Sequence, residues 1–161
     1  MKLLTLSPAK VTDTATGTLG SLKHAIIESD GQVSYNFQPE GLNTKDGTPL
    51  EWSRLKPNRI KDGVEKEYDV PVEVLNTRIK HDPTGFEGIC TDIFLFSTGC
   101  CHFVIAPSTR NKETNELTRA HDFPTQECSG AAIKKLTHKE KEVEQKKKPG
   151  GPSVLQARAI R

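Results

Sequence analysis

The sequence predicts a mainly β fold of two tandem small SH3-like antiparallel β-barrels, followed by a C-terminal helix and an extended tail. Three observations lead to this fold class. Residues 11–39 align with residues 79–107 without a gap when the chain is shifted by 68 positions. Each copy contains short runs of strand-forming residues separated by turn signals. From residue 131 onward, apolar residues recur at helical spacing among Lys and Glu.

The repeat depends on residues that mark special backbone geometry. Three glycines and a proline coincide, and these residues are used where the backbone needs a positive φ, a close approach or a fixed φ. Other positions exchange like for like, such as Val11 with Ile79. The identical pairs are Thr16 and Thr84, Gly17 and Gly85, Gly20 and Gly88, Ser29 and Ser97, Gly31 and Gly99, and Pro39 and Pro107. The chain is therefore interpreted as two copies of one β module.

A hairpin is predicted in each copy, after one short strand and a turn. In the second copy, residues 88–96 and 101–105 are rich in strand formers, with Ser97-Thr98-Gly99 between them. Taking Thr98-Gly99 as the hairpin tip, we expect Phe96 to face Cys101. In the first copy the corresponding turn is Ser29-Asp30-Gly31.

A polar loop follows the proline that ends each hairpin. These loops cover residues 40–48 and 108–116, and a strand-like piece with one large aromatic residue comes next, around Trp52 or Phe123. A last short strand completes each module. Some aromatic residues alternate as core residues do, and we expect them to be buried rather than to form a stacking platform: Tyr35, Phe37, Phe103 and Trp52.

These patterns divide the chain into four parts. We expect the first β module at residues 1–62, a charged linker at 63–72, the second module at 73–130 and a basic C-terminal arm at 131–161. Modules of this size bury only about 60% of their unfolded surface. We therefore expect them to pack on each other or on a partner.

Charge is distributed unevenly along the chain. The net charge is +2, but the segment from residue 134 onward has nine Lys or Arg and three Glu, so it carries +6 and the rest carries −4. No apolar run approaches the roughly 20 residues of a membrane span. The start, M-K-L-L-T-L-S-P, is too short for the apolar core of a signal peptide. We expect a soluble protein, not exported by that route, with cysteines kept as free thiols in a reducing compartment.

The segment D-P-T-G-F-E-G-I at residues 82–89, the pair Gly99-Cys100 and the pair Ala106-Pro107 resemble a family of small phage and prophage proteins. Their pattern is roughly D-x-x-T-G-F-x-G-hydrophobic, then a G-C hairpin tip, then a strand closing on proline. A strand with Phe and a short acidic strand follow, here at residues 122–123 and 126–127. The first copy matches less well, since Gln32 replaces the cysteine. The resemblance implies a tailed-phage origin and a small β-barrel.

Metal binding and catalysis find little support in the sequence. Potential metal ligands cluster in the second module, but no C-x-x-C or H-x-x-x-H spacing is present and adjacent cysteines point to opposite faces of a strand. Ser129 has no base placed near it by any readable pattern, and Asp82, which is able to pair with Asp92, is better explained as a turn residue before Pro83. We expect no metal, no cofactor and no enzyme activity, while a disulfide from Cys128 to Cys100 or Cys101 stays open. The potential ligands are Cys90, Cys100, Cys101, Cys128, His81, His102 and His121.

The arm is the predicted partner-binding element. A weak amphipathic helix is expected from about residue 131 to 147, ended by P-G-G-P at 149–152, and few contacts are expected between the arm and its own barrels. Basic residues on it are able to neutralise phosphates, but three glutamates are interleaved with them, which favours a solvated helix face. The predicted partner-binding residues are Ile133, Leu136, Val143, Val154, Leu155, Ile160, Lys146, Lys147, Lys148, Arg158 and Arg161.

Three functions are consistent with this organisation. The favoured one is a structural protein of a phage particle, a decoration, cement or neck or tail accessory subunit, made in the cytoplasm of a bacterial host. Its partners would be other virion proteins or copies of itself. The first alternative is a nucleic-acid-binding phage regulator that uses the basic tail. The second is an anti-defence protein that sequesters a nucleotide signal. All three act by binding, and no membrane partner is expected.

Overall fold

A computed structural model of the chain describes residues 2–5 and 7–147, with side chains placed from residue 7 to residue 146. Within these residues the elements alternate short strands with three 3-10 turns and end in one long helix. The strands are β1 (Lys2–Thr5), β2 (Val11–Asp13), β3 (Leu19–Glu28), β4 (Val33–Pro39), β5 (Ser53–Leu55), β6 (Ile60–Lys61), β7 (Glu67–Val70), β8 (Arg78–His81), β9 (Phe86–Phe96), β10 (Cys101–Ala106), β11 (His121–Pro124) and β12 (Cys128–Ser129). The helix α1 covers Ala131–Lys147.

The two modules have the same strand order. The first is an antiparallel sheet in the order β6-β2-β3-β4-β5, and the second has the order β12-β8-β9-β10-β11. In each, a 3-10 turn precedes the last strand, at Pro57–Arg59 and at Thr125–Glu127. This order, with the turn before the final strand, is that of an SH3-like barrel. The mainly β fold with a C-terminal helix is therefore confirmed, and the 68-residue shift holds as far as β6 and β12.

The hairpins agree in their irregularities as well. Lys23 in β3 and Thr91 in β9, which are 68 positions apart, are each the extra residue of a β-bulge. Each hairpin closes through a three-residue loop, with Gly31 at φ +83° and Gly99 at φ +91°. Because the loop has three residues, Cys101 pairs with Leu95 and not with Phe96. The expected register was wrong by one residue, a shift that exchanges the two faces of a strand.

A shared sheet joins the two modules. Strands β3 and β9 pair antiparallel from His24 opposite Phe96 to Glu28 opposite Asp92. At the centre of this register, Ile26 faces Phe94, and these two residues occupy the same position in the two copies. A pseudo-twofold axis therefore passes between them. Pairing along β3 and β9 covers backbone edges that either barrel alone would expose.

The core is continuous across both modules. Alternate residues of the central strands point inward, so that Ala25, Ile27, Ile93 and Leu95 are all at most 1% exposed. Tyr35, Phe37 and Phe103 join this cluster, as the sequence predicted. Trp52 does not, because β5 begins one residue later and Trp52 belongs to the preceding loop.

The segment expected to be a linker takes part in the fold. Strand β7 pairs with β1, and Tyr68 donates a hydrogen bond from its hydroxyl to the carbonyl of Ser97 at 3.1 Å. Val70 and Val74 are completely buried. Residues 67–74 therefore anchor the start of the chain against the hairpin tip of the second module.

Helix α1 packs on the second module, in contrast to the expectation of few contacts with the barrels. Leu136 is buried among core residues that include Val74 and Cys128, and Ala132 and Ile133 pack against the same cluster. The physical reason is that the end of the second barrel leaves apolar side chains which the apolar face of α1 covers. The predicted residues Lys148, Val154, Leu155, Ile160, Arg158 and Arg161 lie outside the described residues, as does the side chain of Lys147.

Candidate protein-binding surface

Three polar residues at equivalent positions form a hydrogen-bonded cluster in each module, which we call the polar staple. In the first, the Arg59 guanidinium donates two hydrogen bonds to Asp13, at 3.0 and 2.6 Å, and the Thr16 hydroxyl donates to the same carboxylate at 2.9 Å. Asp13 is almost fully buried. These hydrogen bonds from Arg59 hold the pKa of Asp13 below its ordinary value. The staple ties β2 to the 3-10 turn before β6.

In the second module, the equivalent positions hold His81, Glu127 and Thr84. His81 Nε2 lies 2.9 Å from a Glu127 carboxylate oxygen, and Nδ1 lies 2.6 Å from the Thr84 hydroxyl. The ring also stacks on Phe123 at a centroid distance of 4.0 Å. A hydroxyl, an imidazole and a carboxylate in line suggest a catalytic triad. The same three positions without an imidazole in the first module favour a structural role.

The other histidine, serine and aspartate candidates do not form one cluster. Ser129 donates to Asp82 at 2.6 Å, which fixes a turn, while Asp92 lies in the central strand pair opposite Glu28. His102 pairs with Asp122 and His121 contacts Phe86, so the histidines of the second module have different partners. Among the residues that the structure describes, no group of three or more His, Cys, Asp or Glu is placed to hold a metal ion.

Three cysteines line a groove of about 780 Å³ between α1 and the tip of the β9–β10 hairpin. Cys100 is exposed, Cys101 is partly buried and Cys128 is buried, and all are free thiols. Burial raises the pKa of Cys101 to about 11 and that of Cys128 to about 11, so both stay protonated at neutral pH. Asp69 and Glu140 also line this groove. The negative charge disfavours a ligand that carries phosphate groups.

An aromatic cluster lies on the outer face of the shared sheet. The rings of His24, Phe94 and Phe96 are in mutual contact at 4.9 to 6.5 Å, and His102 joins them at 4.8 Å from Phe96. Burial lowers the pKa of His24, which keeps it neutral at neutral pH. These rings cover one another at the pseudo-twofold axis. Their mutual packing stabilises the join between modules.

The two polar loops are ordered by the same hydrogen bonds. In the first loop, residues 40–52, the Asn43 amide donates to the Thr48 carbonyl at 2.7 Å and the Gly47 amide donates to the Asn43 carbonyl at 2.8 Å. In the second loop, residues 108–120, Asn111 makes both equivalent bonds, with Glu116 and Asn115 at 2.8 and 2.9 Å. An isolated β-bridge closes each loop. Both loops therefore have a defined backbone rather than many alternatives.

Large apolar side chains project from these ordered loops into solvent. Leu42 is 63% exposed and Trp52 is 60% exposed in the first loop, and Leu117 is 62% exposed in the second. The loops connect β4 to β5 and β10 to β11, so they lie at the two outer margins of the shared sheet. We name these three residues the exposed loop set. Preorganised apolar groups at fixed positions are the kind of feature that protein partners use.

The exposed loop set was not among the predicted partner-binding residues. Of those, Ile133 and Leu136 are used by the chain's own core, while Val143 is 50% exposed and Lys146 is exposed. The matching positions of Asn43 and Asn111 under the 68-residue shift were a signal for ordered loops. Nothing in the sequence pattern distinguished Trp52 from a core aromatic residue.

The chain matches no protein-family model, no curated protein and no solved structure. Within the described residues, no helix is both long and apolar enough to cross a membrane.

Proposed function

We propose that this protein is a non-enzymatic binding subunit of a tailed-phage particle, a decoration, cement or neck or tail accessory protein. The observation that carries the proposal is the exposure of Leu42, in the bridge that closes a hydrogen-bonded loop, and of Trp52, at the end of the same loop directly before β5. Trp is enriched at protein interfaces, where a partner covers its large apolar area. The phage setting comes from the sequence resemblance.

The double barrel acts as a rigid spacer in this proposal. Because β3 and β9 share backbone hydrogen bonds, the two loops are held at one separation and orientation. A partner surface that repeats at this spacing would be contacted at both margins of the sheet. The second contact then forms at high effective concentration, which tightens attachment without new contacts.

The C-terminal arm supplies a second attachment point. Val143 and Lys146 are exposed on the last turns of α1, and the predicted residues from Lys148 onward follow it in the sequence. Because Leu136 belongs to the core, an arm deletion that leaves the barrels folded has to begin after residue 147. We expect deletion of residues 148–161 to reduce attachment to the particle and to leave the melting temperature of the barrels unchanged.

Purified virions of the phage that encodes this chain provide the test. Mass spectrometry should detect the protein in the particle, and Trp52→Ala together with Leu42→Ala should lower its occupancy about tenfold or more, as expected for an interface anchor worth about 2 kcal/mol. Val64→Ala is the matched control, because Val64 is 58% exposed and lies outside the loops. Absence of the protein from purified particles, or equal occupancy of the double variant and the control, would overturn the proposal.

A further inference from the structure

Helix α1 separates its charges in space although they alternate in the sequence. Residues three, four and seven positions apart share one face of a helix. Ile133, Leu136 and Glu140 follow this spacing, with Ile133 and Leu136 packed on the core, and half-exposed Val143 extends the same row. Glu140 and Glu144 both line the groove that also contains Leu136 and Val143, and Lys139 reaches its edge. Two of the three interleaved glutamates therefore belong to the side that faces the barrel.

The lysines lie on the two flanks and the outward side of α1. Lys134, His138 and Lys141, at spacings of four and three, line one cleft of about 250 Å³ with Ser129 and Thr137. On the other flank, Lys135 and Lys139 line a cleft with Glu73, Ala131 and Ala132. Lys146 continues this flank eleven positions after Lys135. Among the helix residues, only Glu142 brings negative charge to the outward side.

These lysines form no salt bridge within the described residues. The salt bridges found there all lie in the barrels, between residues 10 and 127. Lys139 interacts with Glu73 through space, but the two are not within salt-bridge distance. The i,i+4 ion pairs that would make α1 an ordinary solvated helix are thus absent from the described part of the chain. The ammonium groups of these lysines are therefore available to an external partner.

We infer that the outward face of α1, defined by Lys134, Lys135, His138, Lys139, Lys141 and Lys146, binds the phosphate backbone of duplex nucleic acid. From Lys134 to Lys146 the helix rises by about 18 Å, long enough to contact several phosphates of a duplex. The helix has no Phe, Tyr or Trp on which unpaired bases would stack, which favours a duplex over a single strand.

This activity goes beyond attachment to particle proteins, and it is tested separately. The full-length chain is titrated into a fluorescent DNA duplex of about 20 base pairs, and anisotropy is followed from about 50 to about 200 mM salt. With about three or four phosphates neutralised, log K should fall with log salt with a slope of about −3. Lys134→Gln, Lys139→Gln and Lys141→Gln combined should weaken binding at least about tenfold and make the slope shallower.

The matched control removes the same charge from the barrels. Lys23→Gln, Lys45→Gln and Lys61→Gln combined also lower the net charge by three, and these lysines are exposed and unpaired within the described residues. The control should bind DNA within about threefold of the wild type. Equal loss in both triple variants, or no binding by the wild type at about 50 mM salt, overturns the inference. A duplex RNA and vesicles with anionic lipid are run in parallel, and tighter binding to vesicles than to either duplex also overturns it.

Discussion

Both modules pair a buried polar residue on a strand with a residue of the 3-10 turn, but the acid and the base exchange places between them. In the first, an acid on the strand, Asp13, meets a base at the 3-10 turn, Arg59. In the second, the base is on the strand, His81, and the acid is at the turn, Glu127. Both strand residues are buried, and each also contacts a Thr hydroxyl three positions later. The fold needs a complementary polar pair at this place, and it tolerates either direction.

The difference teaches what the internal repeat preserves. The polar side chain on β2 or β8 is buried. Burying it without a hydrogen-bond partner would cost free energy, so a residue of the turn has to reach it. That requirement keeps the two residues complementary in each module, but it allows the identity of one residue to change when its partner changes as well. Backbone requirements are stricter: Gly17 and Gly85 have φ values of +71° and +73°. Glycines therefore coincide between copies while the charged residues do not.

The largest effect is expected where the copies agree most closely. A Cβ at Gly20 would lie 2.3 Å from the Gln38 carbonyl oxygen and 2.6 Å from the Phe37 ring, and at Gly88 it would lie 2.3 Å from the Ala106 carbonyl oxygen. Since backbone atoms cannot move aside cheaply, Gly20→Ala and Gly88→Ala should each lower the free energy of unfolding by about 3 kcal/mol. Urea denaturation measures the loss.

Gly17→Ala and Gly85→Ala serve as controls for that experiment. Nothing lies within 4 Å of a Cβ at these positions, so only the positive φ opposes the substitution. We expect each of these substitutions to lower the free energy of unfolding by about 1 kcal/mol. If substitution at all four glycines lowers the free energy of unfolding equally, close backbone approach is not the reason that Gly20 and Gly88 are both glycine in the two copies.

A smaller effect should come from exchanging the pair between modules. Asp13→His alone places an imidazole beside the Arg59 guanidinium and removes the acceptor, so it should destabilise the protein clearly. Adding Arg59→Glu recreates the arrangement of the second module in the first. We expect the double variant to recover at least half of the loss in a double-mutant cycle followed by urea denaturation.

One outcome of the same double-mutant cycle would contradict this prediction. If Arg59→Glu makes Asp13→His worse, or leaves it unchanged, the positions are not interchangeable and the comparison of the two staples fails. Lys61→Glu, which changes an exposed residue two positions further along the chain by the same charge, controls for net charge.

The repeat was readable from the sequence because it depends on glycine and proline. Gly17, Gly31 and Pro39 mark backbone geometry directly, so the strands and turns around them were placed correctly. The pairing of β3 with β9 was not predicted, since β-strand pairing between modules depends on long-range packing that a local pattern does not contain. The register of the β9–β10 hairpin was wrong because Ser97-Thr98-Gly99 fits a two-residue or a three-residue loop equally well as a sequence.

The binding surface was harder to predict for a similar reason. Trp52 and Phe123 were assigned the same place in their modules, yet they are three positions apart after the 68-residue shift. Phe123 lies within β11 and contacts His81, while Trp52 precedes β5 and projects into solvent. The lysines and glutamates of α1 alternate in the sequence without a clear pattern. Their distribution over the sides of the helix became visible only once the structure showed which side packs on the barrel.

A still smaller effect, the pH dependence of stability, tests the Asp13–Arg59 pair of the first module separately from the pair of the second. Arg59 holds the pKa of Asp13 below its ordinary value of about 3.9. The folded state therefore binds this proton less readily than the unfolded state, and the contribution is fully present above about pH 4. It is lost as the pH falls through the folded pKa. The stability advantage of the wild type over Asp13→Asn should shrink between about pH 6 and about pH 2, as melting temperatures measured by circular dichroism would show.

A difference that stays constant over this range would show that Asp13 contributes through hydrogen bonds that the amide of the Asp13→Asn variant also makes. Arg59→Gln provides a second control. It removes the main cause of the pKa shift, so the advantage of Asp13 over its Asn replacement should lose most of its pH dependence in that background.

The smallest effect concerns thiol reactivity, which belongs to the second module because the first has no cysteine. Burial raises the pKa of Cys90 to about 12, and those of Cys101 and Cys128 to about 11. Only the thiolate reacts, and at about pH 8 these three thiols are almost entirely protonated. Exposed Cys100 should therefore give one fast thiol with Ellman's reagent in the native protein, with the other three reacting only on unfolding. Cys100→Ser should remove the fast phase without changing the melting temperature. If a fast thiol remains in that variant, the groove beneath α1 opens in the native state, and Leu136 does not seal the second barrel as firmly as its burial indicates.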